Sequence, residues 1–469
     1  MLTLTVESMA AVTDGTLLSG WGSKMVSGVC LDSRSVTPGC AFVAIAGEHS
    51  DGHAFASDAI EAGARALLVT RELSELEDVA ELARVREVAI VRVDDAVLAV
   101  QQLATHHRLR LHCQVVGVTG STGKTSTKDF VDSVLSTGLR TVSTSGNQNN
   151  ELGVPLTVLR ADLRTEAIVV EMGMRGPGQI ARLCEIARPT IGLLTNVGTS
   201  HIELLGSQDA VADAKAELVR ALPDDGAAFL NGDDAYSDAI ASQTNAGVTL
   251  YGLSERCAVR AVDIELDAES RASFLLRAGS VGAPVSLRVA GKHNVYNALA
   301  AAAVGAHLGI EGEAIARGLE TAHLSAMRME VFSSASGVTI INDAYNANPV
   351  SMRAAIETLA SMEAGGRRVA VLGDMAELGS LTELAHFRIG EAVARLGIDE
   401  LVAVGPRAER IAAGAQAAGL DGRHVRRCVD AVEAGEVLDD LLEPHDVVLV
   451  KASRVMGLEA VVDGIVSPR

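Results

Sequence analysis

A glycine-rich loop that ends in lysine and threonine lies a quarter of the way along the chain, Gly117-Val118-Thr119-Gly120-Ser121-Thr122-Gly123-Lys124-Thr125. An apolar run typical of a buried strand precedes it, and a helical pattern follows. Glycines let backbone N–H groups curl around phosphate oxygens, and the helix N-terminus adds a favourable dipole. In that context Lys124 is predicted to contact the β- and γ-phosphates of a nucleotide, and Thr125 to ligate Mg²⁺. The alternative is a glycine turn without function. Val118 departs from the general G-x-x-x-x-G-K-[ST] pattern, which disfavours a standard GTPase or kinase.

Two further polar residues follow neighbouring strand patterns. Glu171 comes directly after the apolar run 167–170, and His201 lies in the loop after the run 190–194. Parallel strands bring their carboxyl ends to one edge of a sheet, so both side chains are expected beside the phosphate loop. A carboxylate there suits Mg²⁺. The alternatives are a solvated strand-end glutamate and an ordinary surface or packed histidine. Further on, Ser207 or Asp209 would cap a helix in which Lys215, by spacing alone, is a solvated lysine.

Strands and helices alternate from residue 114 onward, which predicts a parallel sheet covered on both faces. The first strand runs are 115–118, 167–170 and 190–194. Residues 257–290 alternate apolar and polar positions, which indicates an antiparallel patch on that sheet, and 294–308 is an alanine-rich helix. A second series begins after residue 323, with strands at 338–341, 369–372, 401–404 and 447–450.

The length of 469 residues suggests about three domains at ~150 residues each. We expect an α/β protein with a first domain at 1–110, a central P-loop, parallel-sheet, ATPase-like domain at 111–322, and a Rossmann-like C-terminal domain at 323–469. A polar, histidine-rich stretch at 105–108 would close the first of these.

The overall charge narrows the possible partners. A formal net charge of -20 argues against general nucleic-acid or anionic-membrane binding, so an anionic substrate would need a locally basic pocket. The six cysteines are scattered without a C-x-x-C pair, which indicates free thiols in a reducing compartment. Neither a signal peptide nor a membrane-spanning run is apparent, so a cytoplasmic protein without membrane insertion is expected.

Together these motifs resemble the Mur ligase family, the amide-forming enzymes of peptidoglycan precursor synthesis. Residues 119–125 match the family's TGxxGKT, in which Val118 is no anomaly. The resemblance implies ATP and Mg²⁺ as cofactors, with the metal on Thr125, Glu171 and His201. It implies that Lys215 is the lysine carbamylated in several members. It also implies that Asn294 and Asn297, in the HNxxNxxAA helix, face adenine, while Arg328 and Asp343 supply an arginine and a ribose-binding aspartate.

Other blocks of the chain resemble particular members of that family. Asp32-Ser33-Arg34 and Asp51-Gly52-His53 look like the uridine-nucleotide domain of the third- and fourth-step ligases. The block at 342–352 is similar to the signature of members that add D-alanyl-D-alanine to UDP-N-acetylmuramoyl-tripeptide, and so are 372–379, His386 and 451–454. Ala452 stands where glycine is usual. The substrate-binding residues implied are Ser33, Arg34, Asn147, Asn149, Asn150, Asn346 and Asn348.

The resemblance implies a monomeric, ATP-dependent ligase that activates the tripeptide carboxylate as an acyl phosphate before the amine attacks. The alternatives are a third-step muramyl ligase, although its DNPR-type block is missing here, and a folylpolyglutamate-type ligase. A P-loop nucleotide-binding module without ligase turnover would leave Asp32-Ser33-Arg34 unexplained. A tripeptide ending in diaminopimelate and one ending in lysine fit equally well, and no base for the amine is evident.

Overall fold

Three parallel-rich sheets follow one another along the chain. The structure is a computed structural model, and it describes residues 1–47, 50–199, 202–279 and 281–466. Helices cover the faces of the sheets, which confirms the predicted α/β class with a central phosphate-loop sheet and a Rossmann-like sheet after it. In this part of the chain no helix is long and apolar enough to cross a membrane.

The first sheet is built from short strands. Its region contains β1 (Thr3–Thr5), α1 (Val6–Val12), β2 (Thr16–Leu17), β3 (Met25–Ser27), β4 (Val29–Cys30), β5 (Ala41–Val43), α2 (Ala56–Glu61), β6 (Ala66–Val69), α3 (Glu77–Arg86), β7 (Ala89–Arg92) and α4 (Ala96–Arg108). Strands β4 to β7 are parallel, and β2 pairs antiparallel with β7. Strands β1 and β3 form a separate antiparallel pair.

The second sheet has nine strands and carries the phosphate loop. Its region contains β8 (Gln114–Thr119), α5 (Lys124–Leu135), β9 (Thr141–Ser143), α6 (Gly153–Arg160), β10 (Ala167–Glu171), α7 (Gln179–Ala187), β11 (Ile191–Leu194), α8 (Ile202–Leu205), α9 (Gln208–Arg220), β12 (Ala227–Asn231), α10 (Ser237–Ala241), β13 (Gly247–Gly252), β14 (Val259–Leu266), β15 (Arg271–Ala278), β16 (Val281–Ala290), α11 (His293–His307) and α12 (Gly312–Glu320). The strand order is β16-β15-β14-β13-β12-β11-β8-β10-β9. Strand β8 therefore lies between β10 and β11, and all three are parallel.

The third sheet has six strands in the order β17-β18-β22-β19-β20-β21. Its region contains β17 (Glu330–Ser333), β18 (Thr339–Asn342), α13 (Pro349–Ser361), β19 (Arg368–Gly373), α14 (Thr382–Arg395), β20 (Glu400–Val404), α15 (Glu409–Ala417), β21 (Val425–Cys428), α16 (Ala431–Leu441), β22 (Val447–Lys451) and α17 (Glu459–Val466). Only β17 is antiparallel to its neighbour. Short 3-10 helices lie at Ser33–Ser35, Gly52–Phe55, Leu73–Glu75, Gly379–Leu381, Gly422–His424 and Arg454–Met456.

Strand β8 shows why an unbroken apolar run forms a strand here. Val115 packs into the core on one face of the second sheet, whereas Val116 and Val118 pack into the core on the other. A parallel sheet covered on both faces buries both sets of alternating side chains, so its central strands are apolar throughout. The core on the Val115 face continues into the first region, where it includes Leu2 and Val100.

The predicted strand runs of the second and third sheets are confirmed, as are the antiparallel patch (β15 and β16) and the alanine-rich helix α11. Strands β9, β12 and β13 of the second sheet and strands β17 and β21 of the third sheet were not predicted. Strands β17 and β21 lie at sheet edges, where partial exposure permits polar residues and hides the apolar run.

The stretch 105–108, which was predicted as a polar segment, is partly buried. It is the last turn of α4, and His107 and Arg108 are buried. His107 Nε2 bonds Ala161 O at 2.8 Å, and Arg108 Nε donates to Ala187 O at 2.8 Å. Each side chain satisfies a carbonyl of the second region.

Candidate active site

The phosphate loop (residues 119–125) leads from β8 into α5 and depends on two glycines. Gly120 has φ +151°, and a Cβ there would lie 1.8 Å from Thr195 Oγ1. Gly123 has φ +76° and caps α5, and its Cβ would lie 2.7 Å from Asn297 Oδ1. No side chain caps this helix N-terminus. Its first backbone N–H groups therefore face the loop, in the arrangement that binds phosphate.

Residues at the end of β11 fix the loop from the adjacent strand. Asn196 Oδ1 accepts from Thr122 N at 3.0 Å, and the Asn196 carbonyl accepts from Ser121 N at 3.0 Å. Thr195 Oγ1 donates to Thr122 O at 2.6 Å. Asn196 was not predicted as a site residue, although it follows a predicted strand and therefore lies at the same sheet edge as Glu171.

Thr125 and Glu171 meet as predicted. Thr125 Oγ1 donates to Glu171 Oε2 at 2.7 Å, and Asn149 Nδ2 donates to Glu171 Oε1 at 2.7 Å. The backbone N–H of Glu171 donates to Thr144 Oγ1 at 3.0 Å. Glu171 is 1% exposed. A buried carboxylate and a hydroxyl thus stand together at the start of the phosphate-loop helix.

Two lysines lie beside this pair. Lys124 Nζ donates to Gly120 O at 2.8 Å. Burial lowers the pKa of Lys124, against the opposing charge of Glu171. Lys215 is 1% exposed and lines the same cavity. Burial, with the charge of Lys124, lowers the pKa of Lys215 well below its usual value.

The expectation from spacing that Lys215 is solvated was wrong. Helix α9 begins after Ser207, whose Oγ accepts from Ala210 N at 3.1 Å, so the predicted cap is right. The helix packs the Lys215 face inward against β8 and β11, because Val211, Leu218 and Val219 on that face are apolar and buried. Within the described residues, no group hydrogen-bonds to Lys215 or forms an ion pair with it. An anionic partner would stabilise it.

The third region supplies Arg328 and Asp343 to the same space. The Arg328 guanidinium carbon lies 4.2 Å from the centre of the Tyr345 ring, a cation–π contact. Asp343 Oδ2 accepts from Lys451 Nζ at 2.5 Å, and Lys451 also donates to Asn346 O at 2.8 Å. Lys451 was not predicted as a site residue, although it begins the 451–454 motif. It ends strand β22, which is the position that brings it to the sheet edge.

A cavity of about 850 Å³ between the second and third sheets joins these groups. Apart from Lys215, its lining has five basic and three acidic side chains: Lys124, Arg175, Arg182, Arg328 and Lys451, with Glu151, Glu171 and Asp343. A chain with a net charge of -20 thus has the locally basic pocket that an anionic substrate requires.

The two predicted adenine contacts differ in position. Asn297 lines the cavity, and its Oδ1 accepts from Thr127 Oγ1 at 3.0 Å. Asn294 does not line it: its Nδ2 donates to Ala290 O at 2.7 Å and its Oδ1 accepts from Asn297 Nδ2 at 2.9 Å. Asn294 therefore orients Asn297. His293 and Tyr296, on the same helix, do line the cavity.

The five asparagines predicted to bind substrate all line the cavity: Asn147, Asn149, Asn150, Asn346 and Asn348. Several also have structural bonds. Asn150 Oδ1 accepts from Gly153 N at 3.0 Å at the start of α6, and Asn348 Oδ1 accepts from Ser351 N at 2.9 Å as the cap of α13. The first three asparagines line the cavity from the second region, and the last two line it from the third.

The structure does not bring the predicted substrate residues Ser33 and Arg34 to this cavity. Ser33 and Arg34 form a 3-10 helix on the first sheet, where the Arg34 side chain is 88% exposed and pairs with Asp32 at 2.7 Å. That ion pair lowers the pKa of Asp32 to about 2. His201 lies outside the described residues.

The donor set fits a magnesium nucleotide. In the described ranges no group of three or more His, Cys, Asp or Glu residues could hold a metal. Mg²⁺, however, usually takes one or two protein oxygens and fills its shell with phosphate oxygens and water. Thr125 and Glu171 provide such oxygens, and the phosphate loop beside them provides the phosphate site.

Three family models match the chain in succession. The model described as Mur ligase family, catalytic domain, matches residues 25–108. The Mur ligase middle domain matches 118–305, and the Mur ligase, glutamate ligase domain matches 327–454.

Full-length relatives agree with these matches. The chain is 36% identical over 468 residues to the UDP-N-acetylmuramoyl-tripeptide–D-alanyl-D-alanine ligase of Bacillus subtilis, with 99% of each chain covered. Its structure is similar to that of MurF from Acinetobacter baumannii, with a TM-score of 0.86, 30% identity and 99% of each chain covered. It is also similar to MurF ligase from Thermotoga maritima in complex with ADP, with a TM-score of 0.78, 28% identity, and 93% of this chain and 96% of that chain covered.

Proposed function

The chain belongs to the Mur ligase family, and we propose that it is the ATP-dependent ligase that adds D-alanyl-D-alanine to UDP-N-acetylmuramoyl-tripeptide. The reaction is a step of cytoplasmic peptidoglycan precursor synthesis. The observation that carries the proposal is the basic cavity in which the phosphate loop, Glu171, Lys215 and Arg328 meet. The activity named for the Bacillus subtilis relative supports it over the whole length of the chain.

ATP and Mg²⁺ are the cofactors of this reaction. Lys124 and the backbone N–H groups at the start of α5 would bind the β- and γ-phosphates. Thr125 and Glu171, with His201, would hold Mg²⁺, which neutralises charge on the phosphate oxygens. Asn297 would face adenine, and Asp343 would accept a hydrogen bond from ribose.

The tripeptide carboxylate is a poor electrophile, so it must be activated before an amine can attack it. A carboxylate oxygen bonds to the γ-phosphorus as the bond to ADP breaks, which gives an acyl phosphate. Lys124 and Arg328 stabilise the charge that moves between these oxygens, because they are fixed cations in a partly water-excluded cavity. The amine of D-alanyl-D-alanine then attacks the carbonyl carbon, loses a proton, and expels phosphate.

Lys215 would act as a carbamate. A neutral amine adds CO₂ and releases a proton, so an uncharged buried lysine becomes an anion. The lowered pKa of Lys215 favours the neutral amine that this step needs. The carbamate would then offset the charge of Lys124 and support Mg²⁺.

The three regions would divide the work. Residues 1–110, with Ser33 and Arg34, would bind the UDP end of the substrate. Residues 111–322 would hold ATP and metal, with the asparagines near residue 149 facing the peptide. Residues 323–469 would bring the dipeptide, with Asn346 and Asn348 beside it. Closure of the third region over the second would keep water from the acyl phosphate. The protein would act as a monomer.

A phosphate-release assay over a matrix of amines and UDP-muramyl peptides tests the function. We expect release with D-alanyl-D-alanine and UDP-N-acetylmuramoyl-tripeptide together, and none when either is omitted. Release with a diamino acid and the dipeptide precursor would indicate the third-step ligase, and release with glutamate a folylpolyglutamate-type ligase. ATP hydrolysis that does not depend on the UDP-peptide would indicate a nucleotide-binding module instead.

A further inference from the structure

The connection between α12 and β17 is bonded to the phosphate-loop helix. Ser325 N donates to Asp129 Oδ2 at 2.7 Å, and Ser325 Oγ donates to Asp129 Oδ1 at 3.2 Å. Asp129 lies in the second turn of α5, which begins at Lys124, and its side chain is 8% exposed. The helix that presents its N-terminus to phosphate is thus tied, through a buried carboxylate, to the chain entering the third region.

The same connection is held at its other end by the third region. Met329 N donates to Asp343 Oδ1 at 3.2 Å, and Tyr345 N donates to Met327 O at 3.3 Å. Met329 is four positions after Ser325, a distance of at most about 14 Å even when the chain is extended. Arg328 therefore lies on a short loop, the arginine loop (residues 325–330). Its start is bonded to Asp129 of the second region, and its end is bonded to Asp343 of the third.

The backbone of the arginine loop is strained around Arg328. Met327 has φ +59° and Met329 has φ +52°, so two residues that are not glycine adopt the left-handed region on either side of it. Such conformations persist only where the surroundings fix them. The Arg328 Nε is buried and has no hydrogen-bond partner within the described residues. The guanidinium direction therefore comes from the backbone anchors and the Tyr345 ring.

We infer that Asp129 is a positioning residue, which aligns Arg328 with the phosphate site by fixing the arginine loop to the phosphate-loop helix. The activity measurements below rest on the proposed function, whereas the exchange measurement does not. A different explanation is that Asp129 only neutralises its neighbour Lys128, whose side chain is 5% exposed and forms an ion pair with it. The two explanations differ in whether Arg328 and the Ser325 amide respond to loss of the carboxylate.

Amide hydrogen exchange at Ser325 in the nucleotide-free protein tests the anchor directly. We expect slow exchange in the wild type and faster exchange in Asp129→Ala, with recovery in Asp129→Asn, whose Oδ1 still accepts from Ser325 N. Because Asp129→Ala leaves a buried lysine unpaired and risks misfolding, the same change is also made in a Lys128→Met background. Lys128→Met alone is the matched control. Unchanged exchange at Ser325 in the alanine variants would overturn the inference.

A double-mutant cycle with Arg328→Ala tests whether the anchor acts through the arginine. We expect Asp129→Ala to lower kcat by roughly ten- to a hundredfold, because small misplacements of a catalytic group cost this much. The KM for ATP and calorimetric ADP binding should stay near wild type, and Asp129→Asn should recover most of kcat. In the Arg328→Ala background the Asp129 change should have no further effect.

Additive losses in that cycle, or a normal kcat with a freely exchanging Ser325, would overturn the role of Asp129. A protein that shows no ligase activity with any substrate would refute the proposed function instead, and the exchange result would still decide whether the anchor exists.

Discussion

Thr125 Oγ1 lies 2.7 Å from Glu171 Oε2, and this hydrogen bond joins the first turn of α5 to the end of the neighbouring strand β10. The other carboxylate oxygen is fixed by Asn149. Both oxygens of Glu171 are thereby oriented before any cation binds. A metal ligand that is already oriented loses little conformational freedom on binding, so this pair would form a preorganised magnesium site.

Replacing Thr125 by valine should abolish Mg²⁺-dependent phosphate release while Thr125→Ser retains it. Valine has nearly the shape of threonine but no oxygen for the metal and no donor for Glu171. Loss of that donor from a buried carboxylate should also cost about 1–3 kcal/mol of unfolding free energy. Phosphate release across a magnesium titration, with urea unfolding in parallel, measures both effects. A valine variant with the wild-type magnesium dependence would show that Thr125 is no ligand.

Lys215→Ala should greatly reduce kcat, and added acetate or formate should restore part of it by replacing a carbamate. The reason is the burial of Lys215 beside Lys124 without a partner in the described residues. Lys215→Met, which keeps the length but not the amine, should also lose activity while unfolding at no lower temperature than wild type. A ¹³C-bicarbonate NMR signal present in wild type and missing in Lys215→Met would identify the carbamate. Unchanged kcat in Lys215→Ala would show that Lys215 neither offsets the charge of Lys124 nor supports Mg²⁺.

The parts of the site that sequence predicts are those set by strand order. Glu171 and the phosphate loop follow apolar strands that sequence identifies well, and parallel strands bring their ends together. Lys215 shows the limit of this reasoning. A helix lysine between alanines looks solvated unless one knows which helix face packs on the sheet, and that depends on tertiary structure.

Partnerships between distant residues are likewise invisible in sequence. Lys451 is 108 positions from Asp343, and only the adjacent strands β18 and β22 bring them together. Asn294 and Asn297 share one motif, but one bonds a carbonyl and the other faces the cavity. The edge strands β17 and β21 were missed because exposure removes the apolar pattern on which strand prediction rests.

Arg34→Ala should raise the KM for the UDP-peptide by roughly tenfold, the loss of one charge-assisted contact, and leave the KM for ATP unchanged. Arg34 is exposed on the first sheet, away from the ATP cavity, so it is available to an anionic substrate. Arg423 offers a matched control in the third region, because it forms the same pair with Asp421 at 2.8 Å and is 83% exposed. Arg423→Ala should change neither KM. Equal increases in both KM values for Arg34→Ala would contradict the division of substrates between the regions.

His386 should make the third region sensitive to acid. Its ring is fully buried, Nδ1–H donates to Thr382 O at 2.7 Å, and Nε2 accepts from Met375 N at 2.9 Å. A second proton on Nε2 would face the Met375 N–H and break this bond. Burial lowers the pKa of His386 for the same reason that a charge there is costly.

Because its pKa is lowered in the folded state, His386 should make the protein less stable in acid. The folded pKa lies below the unfolded value of about 6.5, so above that pH both states are neutral and the stabilisation is complete. As pH falls below about 6.5 the unfolded chain takes up the proton first, and the free energy of unfolding falls by up to about 1.4 kcal/mol per pH unit until the folded histidine also protonates. Urea unfolding from pH 7.5 to 5 should show this slope in wild type and a smaller one in His386→Gln, whose amide both donates and accepts. His112 is exposed, so His112→Gln should keep the wild-type slope. Equal slopes in wild type and His386→Gln would mean that other groups cause the acid sensitivity.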